Sequence, residues 1–186
     1  MRLFIAIALP ADLAARAAAL LPDALPGLRR VKPENLHVTL AFLGWTPDEK
    51  LGDVVAAANE AARGQAPFTL VFDRAGRFPE RGRPRVVWLG IGEGLAGVAG
   101  AGARVASALR LRSLRFDDKP LSPHLTLARV REDASLAEAR TVAAAVEALS
   151  VAPLSTDVNE IRVMESVLSP KGPRYTPRAA APLRSA

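Results

Sequence analysis

The sequence predicts an α+β fold: two pseudo-symmetric lobes of antiparallel sheet plus helices, facing each other across a central cleft. Three observations carry this. First, a ten-residue stretch occurs twice. Lys32-Pro33-Glu34-Asn35-Leu36-His37-Val38-Thr39-Leu40-Ala41 returns as Lys119-Pro120-Leu121-Ser122-Pro123-His124-Leu125-Thr126-Leu127-Ala128, every position shifted by 87 (124 − 37 = 87; 119 − 32 = 87). Second, strand and helix patterns are mixed along the chain, not a regular βαβ repeat, and short strands bounded by turns favour antiparallel pairing. Third, 49% of the 186 residues are hydrophobic, enough for a real core. We read residues 1–186 as one bilobal domain.

Met1 to Leu9 alternates as a strand, with Leu3, Ile5, Ile7 and Leu9 on one face and Arg2, Phe4, Ala6 and Ala8 on the other. Phe4 is a bulky ring on the thinner face. It either packs against a helix or lines the cleft and stacks on a base. Pro10 to Leu21 reads as a helix ended by Pro22, and a loop with Pro26, Gly27 and two arginines leads into the first repeat.

In that repeat His37 and Thr39 share one strand face, while Leu36, Val38, Leu40 and Phe42 point to the core. Thr46-Pro47-Asp48-Glu49 predicts a capping box opening a helix with Leu51, Val54, Val55 and Ala58 inward. Strands follow at 68–72 and 85–89, separated by a basic loop, Arg77 to Arg85, that is either a solvated turn or a track for a phosphate backbone.

Residues 93–112 predict a helix burying Leu95, Val98, Val105 and Leu109, weakened by glycines that each cost about 1 kcal/mol relative to alanine. After the second repeat, Ser135-Leu136-Ala137-Glu138 predicts another capping box. It opens a helix with Leu136, Val142, Val146 and Leu149 inward. Strands near 151–157 and 159–168 follow, and Tyr175 falls in a last short strand.

Composition excludes several classes of chemistry. The chain has no cysteine, which removes disulfides, thiolate catalysis and cysteine-based zinc sites, and fits the cytoplasm. No apolar run reaches membrane-spanning length, and the opening strand meets Pro10 and Asp12 too early for a signal peptide. The net charge of +6 suits a polyanionic ligand, although a general richness in Ala and Arg would produce it too. Gly90-Ile91-Gly92-Glu93-Gly94 lacks the lysine and spacing of a phosphate loop.

The two histidines of the chain both lie in the repeat. A lone His-x-Thr is an ordinary core strand. Two copies holding every histidine offer two imidazoles, each beside a hydroxyl on a rigid strand. Histidine titrates nearest neutrality, so of such a pair one ring can be neutral and the other charged without large pKa shifts. Facing each other across a groove, they could act as base and acid in an in-line displacement at phosphorus. Thr39 and Thr126 could donate to its non-bridging oxygens. Symmetry alone does not tell acid from base. Two histidines without cysteines make a poor metal shell, and neither motif is surrounded by spaced carboxylates, so no metal or other cofactor is implied.

These motifs resemble those of the two-histidine phosphoesterases, defined by paired His-x-Thr/Ser-x motifs, and within them the RNA 2′,3′-cyclic phosphodiesterases, also called 2′-5′ RNA ligases. The likeness runs through Arg2–Ala6, Lys32–Gly44, Pro84–Gly90, Lys119–Arg129 and Glu165–Pro177. It implies the bilobal architecture, His37 as proton donor to the leaving 3′ oxygen, and His124 as proton acceptor from water. It also implies a 2′-phosphate product and reversible ATP-independent ligation. The partners it implies are RNA ends carrying 2′,3′-cyclic phosphates, tRNA fragments among the candidates, and no membrane.

Phe4 and Tyr175 would contact the nucleoside, and Lys32, Lys119 and Lys171 the phosphates or backbone. Arg129 would meet the substrate only through a bulge or a strand end, since strict alternation from His124 puts it on the opposite face. Two other readings stay open: a non-catalytic RNA-binding module of the same fold, and the same chemistry on another cyclic phosphate or a 2′-5′ oligonucleotide.

Overall fold

The computed structural model describes residues 1–169 and 172–185. In chain order it has β1 (Arg2–Ala8), α1 (Ala11–Ala18), β2 (Leu28–Arg30), β3 (His37–Trp45), α2 (Leu51–Ala62), β4 (Phe68–Phe78), β5 (Val86–Glu93) and α3 (Leu95–Leu111). There follow β6 (Leu125–Val130), α4 (Leu136–Glu147), β7 (Leu154–Val158), β8 (Glu160–Ser169) and β9 (Gly172–Pro182). Single 3-10 turns at Pro33–Asn35 and Asp48–Lys50 precede β3 and α2.

One sheet runs through both halves in the order β7-β4-β5-β6-β3-β1-β8-β9, with β2 pairing β6, and the pairings are antiparallel. The centre of the order is β6 beside β3, the two strands that begin inside the repeated stretches. They touch at one registered pair, Val38 opposite Leu125. Each therefore leads its own half: β3 with β1, β8 and β9, and β6 with β5, β4 and β7. The terminal strands β1, β8 and β9 belong to the His37 half, an ownership the sequence left open. Helices α2 and α3 pack on that half and on each other, while α1 and α4 pack against β7 and β4 of the other half.

The core follows the strand period. Leu3, Ile5, Ile7, Val38, Leu89 and Leu125 are buried on the helix-covered face. A fully buried side chain of this size stabilises by about 1.5–3 kcal/mol, so register is tightly held at the join of the halves.

Local expectations fared differently. The Ser135 capping box forms: Glu138 N donates to Ser135 Oγ at 3.1 Å and Ser135 N to Glu138 Oε2 at 2.7 Å. The Thr46 box does not. Thr46 N donates to Met1 O at 2.8 Å and the amino terminus donates to Thr46 O at 2.9 Å. That pairing extends β1 and β3 and leaves the Thr46 hydroxyl donating to Gly44 O. Leu95 and Leu136 are exposed, not inward; each is the first residue of its helix, and burial begins one turn later at Val98 and Ala139. The last strand is long, not short. The basic loop is tied down: Arg77 donates to Pro79 O and Gly82 O, and Arg83 to Ala134 O and Glu132 O.

Candidate active site

Two bulges, one in each repeat, build the site. Along β1 and β3, Ala8 faces His37, Ala6 faces Thr39, and Phe4 faces Phe42, with the register slipping at Leu40 and again at Leu43. Along β5 and β6, Trp88 faces Thr126 while Val86 faces Arg129, with a slip at Leu127. Leu40 and Leu127 are equivalent positions of the repeat (127 − 40 = 87). An extra residue in one strand turns everything beyond it to the other face. Phe42 is therefore turned out of the core, contrary to strict alternation, and lines the cleft at 41% exposure. Arg129 is turned the same way, onto the face of Thr126, by a bulge and not by a strand end.

The histidines are held alike. His37 Nδ1 lies 2.7 Å from Asn35 O, and His124 Nδ1 lies 2.7 Å from Ser122 O. A carbonyl only accepts, so in each ring Nδ1 carries the hydrogen and Nε2 is left to the cleft. Both imidazoles line one cavity of about 620 Å³, together with Thr39, Thr126, Arg2, Phe42, Arg129 and Tyr175. The register Val38 opposite Leu125 aligns His37 with Thr126 and Thr39 with His124. Among the described residues neither threonine hydroxyl has a hydrogen-bond partner, which leaves both available to a ligand.

Their surroundings differ. The His37 ring lies 4.8 Å from Phe4 and 5.3 Å edge-on from Tyr175, and those two rings lie 4.9 Å apart. Asn35 is buried, and its Nδ2 donates to Pro173 O at 2.8 Å, which ties the start of β9, and so Tyr175, to the turn that holds His37. Burial pushes the His37 pKa down, outweighing the upward pull of the Asn35 carbonyl, and the positive charges of His124 and Arg129 add to the lowering. Burial also raises the Tyr175 phenol, against the opposing pull of Arg129 and Arg2, so it stays protonated.

His124 instead meets Phe78 edge-on at 5.1 Å, and Phe78 lies 5.0 Å from Trp88. The Trp88 ring lies over Gly76, where a Cβ would come within 2.2 Å of it. Glycine is required there so that this ring can lie flat behind Phe78.

The remaining predicted contacts scatter. Phe4 is 3% exposed and covered by His37 and Tyr175, so it has no face open for a base and forms the floor under the imidazole. Tyr175 is half-buried in the cleft. Lys32 lies outside the cleft, in a separate depression with Arg30 and Asp23. Lys119 stands on the rim, 81% exposed and paired with Asp117 at 3.2 Å. Lys171 lies outside the described residues. The sequence pattern does not mark Arg2, Asn35, Phe42 or Phe78 as site residues; the alternation of β1 and the repeat position of Asn35, matching Ser122, are the available signals for the first two.

A sheet of two facing halves, with a His-x-Thr at the head of each central strand and both imidazoles opening on one cavity, is the architecture of a two-histidine phosphoesterase. The chain belongs to the LigT like phosphoesterase family, which it matches over residues 7–88 and 93–175. It is 33% identical over 180 residues to an RNA 2′,3′-cyclic phosphodiesterase of Archaeoglobus fulgidus (94% of this chain, 96% of the relative). It is 36% identical over 187 residues to one of Thermus thermophilus (95% of this chain, 87% of the relative). Among solved structures, E. coli LigT complexed with 3′-AMP superposes with a TM-score of 0.76 at 30% identity, covering 98% of this chain and 97% of that one. The fold and the family together make the protein a phosphoesterase.

Proposed function

We propose that this protein opens the 2′,3′-cyclic phosphate at the end of an RNA strand to a 2′-phosphomonoester, without a metal, with His37 as proton donor and His124 as proton acceptor. The observation that supports this most is that both imidazoles line one cavity while a backbone carbonyl holds each Nδ1, which leaves Nε2 as the free ring nitrogen. Water gives its proton to His124 Nε2 as its oxygen bonds to phosphorus. The P–O3′ bond breaks, and O3′ takes the proton from His37 Nε2. Thr39, Thr126 and Arg129 take the non-bridging oxygens, where charge builds. The relatives' names supply RNA as the substrate class; tRNA fragments in the cytoplasm are candidate ends. Ligation is the same step reversed, with a 5′-hydroxyl in place of water.

The division of roles draws on the contrast between the two rings. His124 is the more open, as an activator of water must be. His37 is walled by Phe4 and Tyr175, as suits the side of the leaving ribose. Its lowered pKa favours the neutral ring before substrate binds. A bound phosphodiester anion favours the charged, donating ring, so substrate binding takes up a proton and tightens as pH falls through the histidine range. The metal-free route draws on the donor set: among the described residues no three of His, Cys, Asp and Glu cluster to hold an ion.

The test is adenosine 2′,3′-cyclic phosphate in excess EDTA. Turnover to the 2′-monophosphate is expected; no turnover, or a 3′-monophosphate product, would overturn the reading.

A further inference from the structure

Among the described residues the exposed large apolar side chains include two aromatic ones, Phe42 at 41% and Trp45 at 80%. Both belong to β3, and both share the cleft face. Phe42 lines the cavity, and Trp45 is the cross-strand partner of Arg2, which also lines it. Directly paired residues of an antiparallel ladder stand on the same face. The cleft face of β3 thus runs His37, Thr39, Phe42, Trp45. From Thr39 to Trp45 it extends six residues, roughly 15–20 Å at ~3.3 Å per residue with two bulges. That carries Trp45 beyond the nucleotide whose phosphate sits between the histidines.

Arg2 completes the corner. Its guanidinium carbon lies 5.8 Å from the Phe42 ring centre, and its Nε is buried without a hydrogen-bond partner. Among the described residues no carboxylate pairs with it. Lys119, by contrast, is already paired with Asp117. An unpaired guanidinium in a cleft, beside two exposed rings, matches a phosphodiester flanked by bases. Single-stranded nucleic acid is held in this way, by base stacking on aromatic or guanidinium planes with charge along the backbone. A chain ending in a cyclic phosphate continues only through the 5′ oxygen of its last nucleoside, so it must leave along the cleft.

We propose that Arg2, Phe42 and Trp45 form a second nucleotide subsite, which takes the base and phosphodiester immediately 5′ of the cyclic end. It makes the enzyme selective for oligoribonucleotides over free nucleoside cyclic phosphates. This rests on the reading that the histidine cleft takes the cyclic phosphate itself.

The experiment compares kcat/KM for a trinucleotide and for a nucleoside, each ending in a 2′,3′-cyclic phosphate, in the wild type, Trp45→Ala and Arg2→Gln. It adds quenching of tryptophan fluorescence by a 3′-phosphorylated trinucleotide. The wild type should prefer the trinucleotide by tenfold or more, and Trp45→Ala should cut that preference about tenfold, the usual effect of losing one stacked base. Arg2→Gln should lower the preference and flatten its salt dependence. A circular dichroism melt confirms that each variant is folded.

Equal efficiency on both substrates, or an undiminished preference in Trp45→Ala, overturns the subsite while leaving the cyclic phosphodiesterase reading intact. Quenching that disappears in Trp45→Ala, without turnover of either substrate, upholds the subsite and sinks the reading it rests on. If Trp45→Ala changes only the oligomeric state in sedimentation, the exposed Phe42–Trp45 face is a protein contact and the proposal fails.

Discussion

At His37 the imidazole sits on Phe4, against Tyr175, and beside an asparagine that pins the last strand to the same turn. At His124 the ring meets the edge of Phe78, backed by Trp88. Yet the backbone device is the same at both: Nδ1 on the carbonyl two residues back, and a bulge three residues beyond. The repeat fixes how each Nδ1 is held, and the rest of each half fixes what packs on its ring; at His37 burial also lowers the pKa. Two copies of one motif thus sit in two different surroundings, the asymmetry on which the proposed division into acid and base rests.

Changes to the histidines themselves have the largest effect. His37→Ala and His124→Ala should each lower kcat by about 10²–10⁴, the usual contribution of one general acid or base, with thermal melts showing both variants folded. A variant that kept wild-type kcat would remove its ring from the chemistry and break the comparison.

Next come the threonines, which the register treats equally. Thr39→Val and Thr126→Val should each lower kcat about 10²–10³, as for loss of one donor to a developing oxyanion, and to a similar extent. A large inequality would show that the two halves grip the phosphate differently.

The smallest effect sharpens the contrast. In Asn35→Ala and Ser122→Ala the carbonyl that holds the ring survives, but only Asn35 has a side chain tied to Pro173. Asn35→Ala should destabilise by about 1 kcal/mol, the net worth of one hydrogen bond, and raise KM through Tyr175. Ser122→Ala should stay within about 0.5 kcal/mol. Chemical denaturation and steady-state kinetics read both.

Much of this was legible in the chain. The duplicated His-x-Thr, with a valine or leucine between, dictates two half-buried strands and their polar faces. The bulges were not legible, because alternation counts residues and cannot see one inserted in the ladder. Phe42 was accordingly assigned to the core, and Arg129 could be placed only conditionally. Phe4 lies on the cleft side and not against a helix, but under His37 and Tyr175, because a pattern gives the face of a side chain and not what covers it. Lys32 and Lys119 match in sequence yet diverge in space, since the two halves keep different neighbours around the same motif. Thr46 had the right residues for a cap, but pairing with the chain's first residue took its backbone.

The most direct test is the pH dependence of kcat/KM on a nucleoside 2′,3′-cyclic phosphate, for the wild type and for the residual activity of each histidine variant. The account predicts a bell for the wild type. His124→Ala should lose the acidic limb, where the base is protonated away, and His37→Ala the alkaline limb, where the acid is lost. A flat wild-type profile across the histidine range, or limbs lost in the opposite order, would contradict it.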